Sequence, residues 1–138
     1  MVMAISVLKK ITEKDACSIL MKQKQQLSVV NIGEIKPSTR KENQYYFYVD
    51  FEMEDGTQFG ASYSFYGENG MFKCGTSSKL FCLMKGFLNL NELDCVGLTF
   101  DESDIADTLD NQLFIASAVV QSVGGKNYPF IVCEKVIA

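Results

Sequence analysis

The segment from residue 45 to residue 66 constrains the fold most, because apolar side chains recur there at every second position on both sides of a turn signal. A period of two residues is that of a β-strand with one face buried and the other exposed. The turn signal is Asp55-Gly56, a dipeptide that supplies the positive φ angles of a tight hairpin. The sequence therefore predicts an antiparallel strand pair that buries one face and presents Tyr46, Tyr48 and Tyr66 on the other.

Three further strands are predicted around this hairpin. Residues 27–35 are rich in β-branched side chains, and the strand is expected to stop at Pro37. Residues 112–122 and 127–137 flank a Gly-Gly turn and predict a second hairpin. Pro129 has no N–H to donate, so we expect that part of the last strand to lie at an edge, a bulge or a loop mouth.

Two helices are predicted in the second half of the chain. Apolar residues recur at spacings of three and four over residues 80–88, which predicts a helix whose apolar residues lie in the core. Thr and Ser at 76–78 are its candidate N-caps. Residues 101–109 predict a short acidic helix anchored by Ile105 and Leu109. Two connections are predicted to be loops, residues 36–44 and 67–75.

Composition indicates one compact domain over residues 1–138, since 47% of the chain is hydrophobic and 22% is charged, without repeats or low-complexity segments. No apolar run approaches the roughly 20 residues of a membrane span, and no cationic leader precedes an apolar stretch. The five cysteines form no C-x-x-C pair, so we interpret most of them as buried thiols in a reducing compartment. The expected location is cytoplasmic.

The chain contains no histidine. Its absence removes the commonest general base, the usual partner of a nucleophilic Ser or Cys, and the usual zinc ligand. The acids of 101–110 lack the spacing of a calcium loop, and Gly67, Gly70 and Gly75 lack that of a phosphate-binding loop. We therefore expect no enzyme, no cofactor and no metal.

Charge is segregated along the chain, which is acidic as a whole with a net charge of −4. Residues 1–41 carry eight bases against three acids, a net charge of +5, whereas residues 92–138 carry two bases against eight acids, a net charge of −6. The acidic total argues against a uniformly basic nucleic-acid-binding surface but leaves local patches open.

The predicted order, three strands, one helix and two strands, resembles the oligonucleotide/oligosaccharide-binding (OB) fold, a five-stranded, partly open barrel with a helix at one end. The segments TSSKLFCLMKGF, FDESDIADTL and QLFIASAVVQSVGGKNYPFIV resemble single-stranded-DNA-binding proteins of phages and plasmids. The resemblance covers residues 27–138 and leaves residues 1–26 as an N-terminal segment of undetermined structure.

The resemblance implies non-catalytic binding of single-stranded nucleic acid, DNA or RNA, during phage or plasmid replication or recombination. The implied surface is the outer face of the second and third strands with two neighbouring loops. Exposed tyrosines stack on bases, and Lys or Arg neutralises phosphates. The implied partners are the nucleic acid, replication or recombination proteins and further copies of the chain, with no membrane. The implied binding residues are Lys36, Arg40, Lys41, Tyr46, Tyr48, Tyr66, Lys126 and Tyr128.

Other interpretations of the same residues stay open. Tyr46 and Tyr48 also suit cross-strand packing, and the loop bases also suit simple solvent exposure. Three acids at 50, 52 and 54 share the outer face with the two tyrosines, so binding is expected at the Tyr46 end of the strand. The alternative function is a small acidic interaction module, such as a phage-encoded inhibitor that uses residues 92–110 to mimic phosphates.

Overall fold

The computed structural model describes residues 9–68, 71–75, 78–88 and 97–137. Most of this chain is β-structure, arranged as one strongly curled sheet that forms a half-barrel, with three helices. The elements are α1 (Glu13–Lys22), β1 (Gln25–Ile32), β2 (Lys36–Pro37), β3 (Gln44–Met53), β4 (Gln58–Glu68), β5 (Met71–Gly75), α2 (Lys79–Phe87), β6 (Gly97–Phe100), α3 (Glu102–Leu109), β7 (Leu113–Val123) and β8 (Lys126–Ile137).

The sheet runs in the order β6-β5-β4-β3-β1-β7-β8, and the short β2 pairs with β3. All of these pairings are antiparallel. The coarse prediction of an all-β, barrel-like fold is confirmed. The predicted count of five strands and the predicted order of elements are wrong, because the described residues form eight strands and three helices, with α1 ahead of the first strand and α3 between β6 and β7.

The additional strands lie in segments that the sequence analysis assigned to connections. β5 occupies part of the predicted loop 67–75, and it forms because Cys74 is buried and Phe72 half-buried between exposed neighbours. Because the strand has only five residues and lies between glycines, too few side chains remain to show the alternating pattern of a strand. β2 lies at the start of the predicted loop 36–44, and β6 lies between the two predicted helices, where no strand was predicted.

The central hairpin, β3 and β4, is confirmed with the predicted faces. Every second side chain of β3 from Phe47 to Met53 is buried, as are those of β4 from Phe59 to Phe65. The turn differs from the prediction, since among the described residues around it only Gly56 has a positive φ, of 89°. Its N–H donates to the Met53 carbonyl, and the Met53 N–H donates to the Thr57 carbonyl, which makes a three-residue turn.

The predicted helices are present. Ser78 caps α2 by accepting a hydrogen bond from the Phe81 N–H, and Thr76 and Ser77 lie outside the described residues. The core side of α2 is confirmed, but Leu88 follows the last helical residue and is 39% exposed. α3 begins with a capping box between Asp101 and Asp104 and buries two anchors, Ile105 and Leu109.

The N-terminal segment contains α1, whose one buried face (Ala16, Cys17 and Leu20) joins the main core. Thr12 caps the helix by accepting from the Asp15 N–H at 3.1 Å. Ahead of it, Ile11 donates its N–H to the Gln58 carbonyl on β4. This segment therefore lies along β4, and the first barrel strand begins at Gln25 rather than at residue 27.

The sheet is open, because its two end strands, β6 and β8, do not pair with each other in the described chain. Side chains of α1 and α2 meet beside β4. The Lys79 ammonium donates to the Ser62 carbonyl at 2.7 Å and to Glu13 at 2.8 Å, and it lies 4.9 Å from the centre of the Tyr63 ring. None of the described helices is long and apolar enough to cross a membrane.

Candidate functional site

The outer face of β3 presents two neighbouring tyrosine rings. Phe47 and Val49 point into the core, which forces Tyr46 and Tyr48 to the opposite side of the strand. The two tyrosine rings meet edge to face, with centroids 5.8 Å apart. Tyr48 is 57% exposed and Tyr46 is half-buried, so both rings are accessible from one side.

A cleft of about 380 Å³ lies beside these rings, which we call the tyrosine cleft. Tyr46 and Tyr48 line it together with Arg40, whose loop lies alongside the strand. The small side chains of Ser62 and Ser64 on β4 leave it accessible, because they stand opposite Tyr48 and Tyr46 in the strand register. The remaining lining residues are Ser38, Thr39, Gln44 and Tyr45.

Local hydrogen bonds bring the 36–44 loop back onto β3. β2 starts it by pairing Lys36 with Tyr46. The Ser38 hydroxyl accepts from the backbone N–H groups of Arg40 and Lys41 at 3.2 and 3.4 Å, and the Ser38 N–H donates to the Gln44 carbonyl at 2.7 Å. Asn43 completes the turn with a φ of 59°, a conformation that Asn tolerates well. The loop is a defined turn that holds Arg40 beside the tyrosines.

Three bases and one exposed acid, Glu42, lie on the loop beside the tyrosine cleft. Lys36, Arg40 and Lys41 are exposed, and none of them forms an ion pair within the described chain. A phosphate could approach these three cations without displacing a carboxylate.

The acids at 50, 52 and 54 lie further along β3 and just after its end, and each accepts one hydrogen bond. Asp50 accepts from the Asn31 side chain at 3.3 Å, and Glu52 accepts from the Gln58 side chain at 2.9 Å. Glu54 accepts from the backbone N–H of Gln26 at 3.0 Å. The outer face is therefore basic at the Tyr46 end and acidic at the other end, as the residue order along the strand implies.

Tyr66 extends the aromatic surface towards β5. It is 52% exposed and stands opposite Gln44 on β3 and Lys73 on β5. Lys73 was missed by the sequence analysis, because the strand that carries it was assigned to a loop. The signal was the alternation of MFKCG, which places Lys73 on the exposed side.

The last two predicted site residues lie elsewhere. Lys126 begins β8 beside the Gly124-Gly125 turn and is exposed. Tyr128, 43% exposed, lines a separate cleft with Glu13 and Lys79. Neither residue lines the tyrosine cleft, which contains three of the eight predicted residues, Arg40, Tyr46 and Tyr48. Lys36 and Tyr66 stand beside it, opposite Tyr46 and Gln44 of β3.

No family model, curated protein or solved structure matches this chain. The tyrosine cleft combines aromatic rings, hydroxyl and amide groups, and the Arg40 guanidinium, a set that suits a flat ring attached to an anion.

The buried titratable groups belong to the core rather than to this cleft. Burial raises the pKa of Cys17 and of Cys133 to about 11, so both thiols are protonated at neutral pH. Burial likewise raises the pKa of Tyr63 well above its usual value. Cys74 and Cys82 are also buried, which agrees with the prediction of buried thiols, whereas Cys95 lies outside the described residues.

Proposed function

We propose that the protein binds single-stranded nucleic acid, without catalysing a reaction, at the tyrosine cleft and the adjoining outer face of β3 and β4. The observation that carries the proposal is the accessible Tyr46–Tyr48 pair beside Arg40. A base stacked on an aromatic side chain contributes about 1–3 kcal/mol to binding. Arg40, Lys36 and Lys41 supply phosphate contacts whose contribution falls as salt rises.

The arrangement favours a single strand over a duplex. Bases in a duplex are stacked on each other, so their faces are unavailable to a tyrosine ring, whereas a single strand can turn its bases outward. The edge-to-face contact leaves different ring faces accessible on Tyr46 and Tyr48. Two successive bases therefore have separate places to stack, while the sugar-phosphate chain follows the loop cations.

Strand pairing supports the same proposal. The five longest strands connect as β4-β3-β1-β7-β8, and α2 lies between β4 and β7 in the chain. In the OB fold the second and third strands form the binding face, and β3 and β4 hold these two places among the five longest strands in chain order. We accordingly propose an OB-like barrel elaborated by β2, β5 and β6, acting in phage or plasmid replication or recombination inside the cell.

The test is fluorescence anisotropy of a labelled oligo-dT and of the matching oligo-U with the purified chain at low salt. Tyr48→Ala is expected to weaken binding about 5- to 150-fold, the equivalent of 1–3 kcal/mol. Tyr48→Phe keeps the ring and is expected to retain most of the affinity. Arg40→Ala should weaken binding, while Lys135→Ala, an exposed cation on β8, serves as its control.

Two outcomes would contradict the proposal. Absence of binding to both oligonucleotides at low salt would remove the function and favour the acidic interaction module as the alternative. Equal affinity of Tyr48→Ala and the unmodified chain would place any binding on another surface.

A further inference from the structure

A second groove, of about 440 Å³, lies between the end of β1 and α3 on a part of the molecule distinct from the tyrosine cleft. Its lining includes aliphatic side chains of Ile32, Ile35 and Ala106. Val30 also lines it and is 45% exposed. Three carboxylates stand among these apolar groups, those of Glu34, Glu102 and Asp110. We call this the acidic groove.

The carboxylates of the acidic groove lack counterions. No Lys or Arg of the described chain forms an ion pair with Glu34, Glu102 or Asp110, or with Asp107 nearby on α3. Asp107 and Asp110 lie at the C-terminal end of α3, where the helix dipole disfavours negative charge, and the last turn of α3 has no basic residue. A cationic group bound there would relieve both the mutual repulsion and the unfavourable dipole.

The chain carries a surface of complementary character on α1. Its outward residues include one acid, Asp15, and two bases that have no ion pair in the described chain, Lys14 and Lys22. Between them Ile19 and Met21 are 42% and 49% exposed, which is high for large apolar side chains. The exposed side chains of α1, which include two bases, one acid and two large apolar groups, are opposite in net charge to the acidic groove and similar to its lining in apolar character.

The two surfaces lie at opposite ends of β1. α1 ends at Lys22, just before β1 begins at Gln25, whereas the acidic groove is built from residues at the far end of that strand and beyond. The eight residues of β1 span about 25 Å at about 3.3 Å per residue. One copy therefore cannot place its own α1 in its own groove.

We propose that copies of this chain associate head to tail, with α1 of one copy seated in the acidic groove of the next. The contact joins two different surfaces, so each added copy presents a fresh α1 and a fresh groove, and the assembly grows as a row. The proposal does not depend on nucleic-acid binding. On a single strand such rows would place successive binding faces next to one another.

Sedimentation velocity without nucleic acid tests the contact. At about 50 mM salt and protein up to about 100 µM, the weight-average mass is expected to rise with concentration above the 15.4 kDa of one chain. At about 500 mM salt it should return to that of one chain, because screening weakens exposed charge pairs. Asp110→Lys should reduce association, while Glu42→Lys, the same charge change on an exposed loop residue, should not.

A reciprocal charge exchange separates a specific contact from a folding defect. The variant Lys14→Glu/Lys22→Glu and the variant Glu34→Lys/Asp110→Lys should each remain monomeric alone, and their mixture should associate again. A constant mass of 15.4 kDa for the unmodified chain overturns the proposal and leaves the acidic groove to a basic partner of another sequence. Failure of the mixture to associate, with both variants folded by circular dichroism, also overturns it.

Discussion

Gly86 on α2 offers a sharp test of the packing between helix and sheet. A Cβ atom built at this position would overlap the carbonyl oxygen of Cys133 on β8 and approach the Cβ of that residue. Because the obstacle is strand backbone, a side-chain rotation cannot make room, and α2 or β8 must move. In an exposed helix interior Gly→Ala would instead stabilise by about 1 kcal/mol.

The sign of the change in unfolding free energy therefore shows whether Gly86 is closely packed or exposed. Overpacking a dense core costs about 1–3 kcal/mol, and an overlap with backbone belongs at the upper end of that range. After the helix-propensity gain of about 1 kcal/mol is subtracted, Gly86→Ala is expected to lower the free energy of unfolding by about 2 kcal/mol. The corresponding fall in Tm is about 5–10 °C.

Urea denaturation followed by circular dichroism measures this difference. Gly75→Ala on β5 is the matched control, because a Cβ there meets no atom within 4 Å. It should leave the free energy of unfolding unchanged or slightly raised. If Gly86→Ala proved as stable as the unmodified chain, or more stable, the close approach of α2 to β8 would be refuted.

Two further predictions concern the buried charges and thiols. Lys79→Met removes the ion-pair partner of the half-buried Glu13 and a hydrogen bond to the Ser62 carbonyl. We expect the free energy of unfolding, measured by urea denaturation, to fall by about 2 kcal/mol and to be partly recovered when Glu13→Leu is added. Equal stability of the single and the double variant would contradict the ion pair. Burial raises the pKa of Cys133 from 9.0 to about 11, so the unfolded chain loses this proton at lower pH than the folded chain. Stability should accordingly fall as pH rises from about 9 to about 11, and less steeply in Cys133→Ala, a difference that urea midpoints across this range would reveal.

The sequence predicted the elements with long, regular patterns. Ten residues of strict alternation in β3 determined both the strand and its faces, and the spacing of apolar residues in α2 determined its buried side. β5 was missed because five residues between glycines carry too little pattern. The pairing of β1 with β7, which joins residues 25–28 to residues 113–116, depends on tertiary packing that no local pattern records.

The sequence likewise predicted only the part of the candidate site that lies on regular strands. Strand parity placed Tyr46, Tyr48 and Tyr66 on one face. The position of Arg40 depends on hydrogen bonds of Ser38 and on the left-handed conformation of Asn43, which the polar loop sequence does not specify. Tyr128 was grouped with the site through the family resemblance, and the structure places it in the cleft beside Lys79.

Photocrosslinking identifies the side chains on which the bases stack. An oligonucleotide that carries 5-iodouracil reacts on irradiation with aromatic side chains stacked on the base, and mass spectrometry of the digested adduct identifies the residue. We predict crosslinks at Tyr46 and Tyr48 in the unmodified chain. Changing both residues to Ala should abolish these crosslinks. Changing both to Phe should abolish them only if the rings no longer stack on the bases. Crosslinks confined to other residues, with both tyrosines unmodified, would contradict the stacking of bases on Tyr46 and Tyr48.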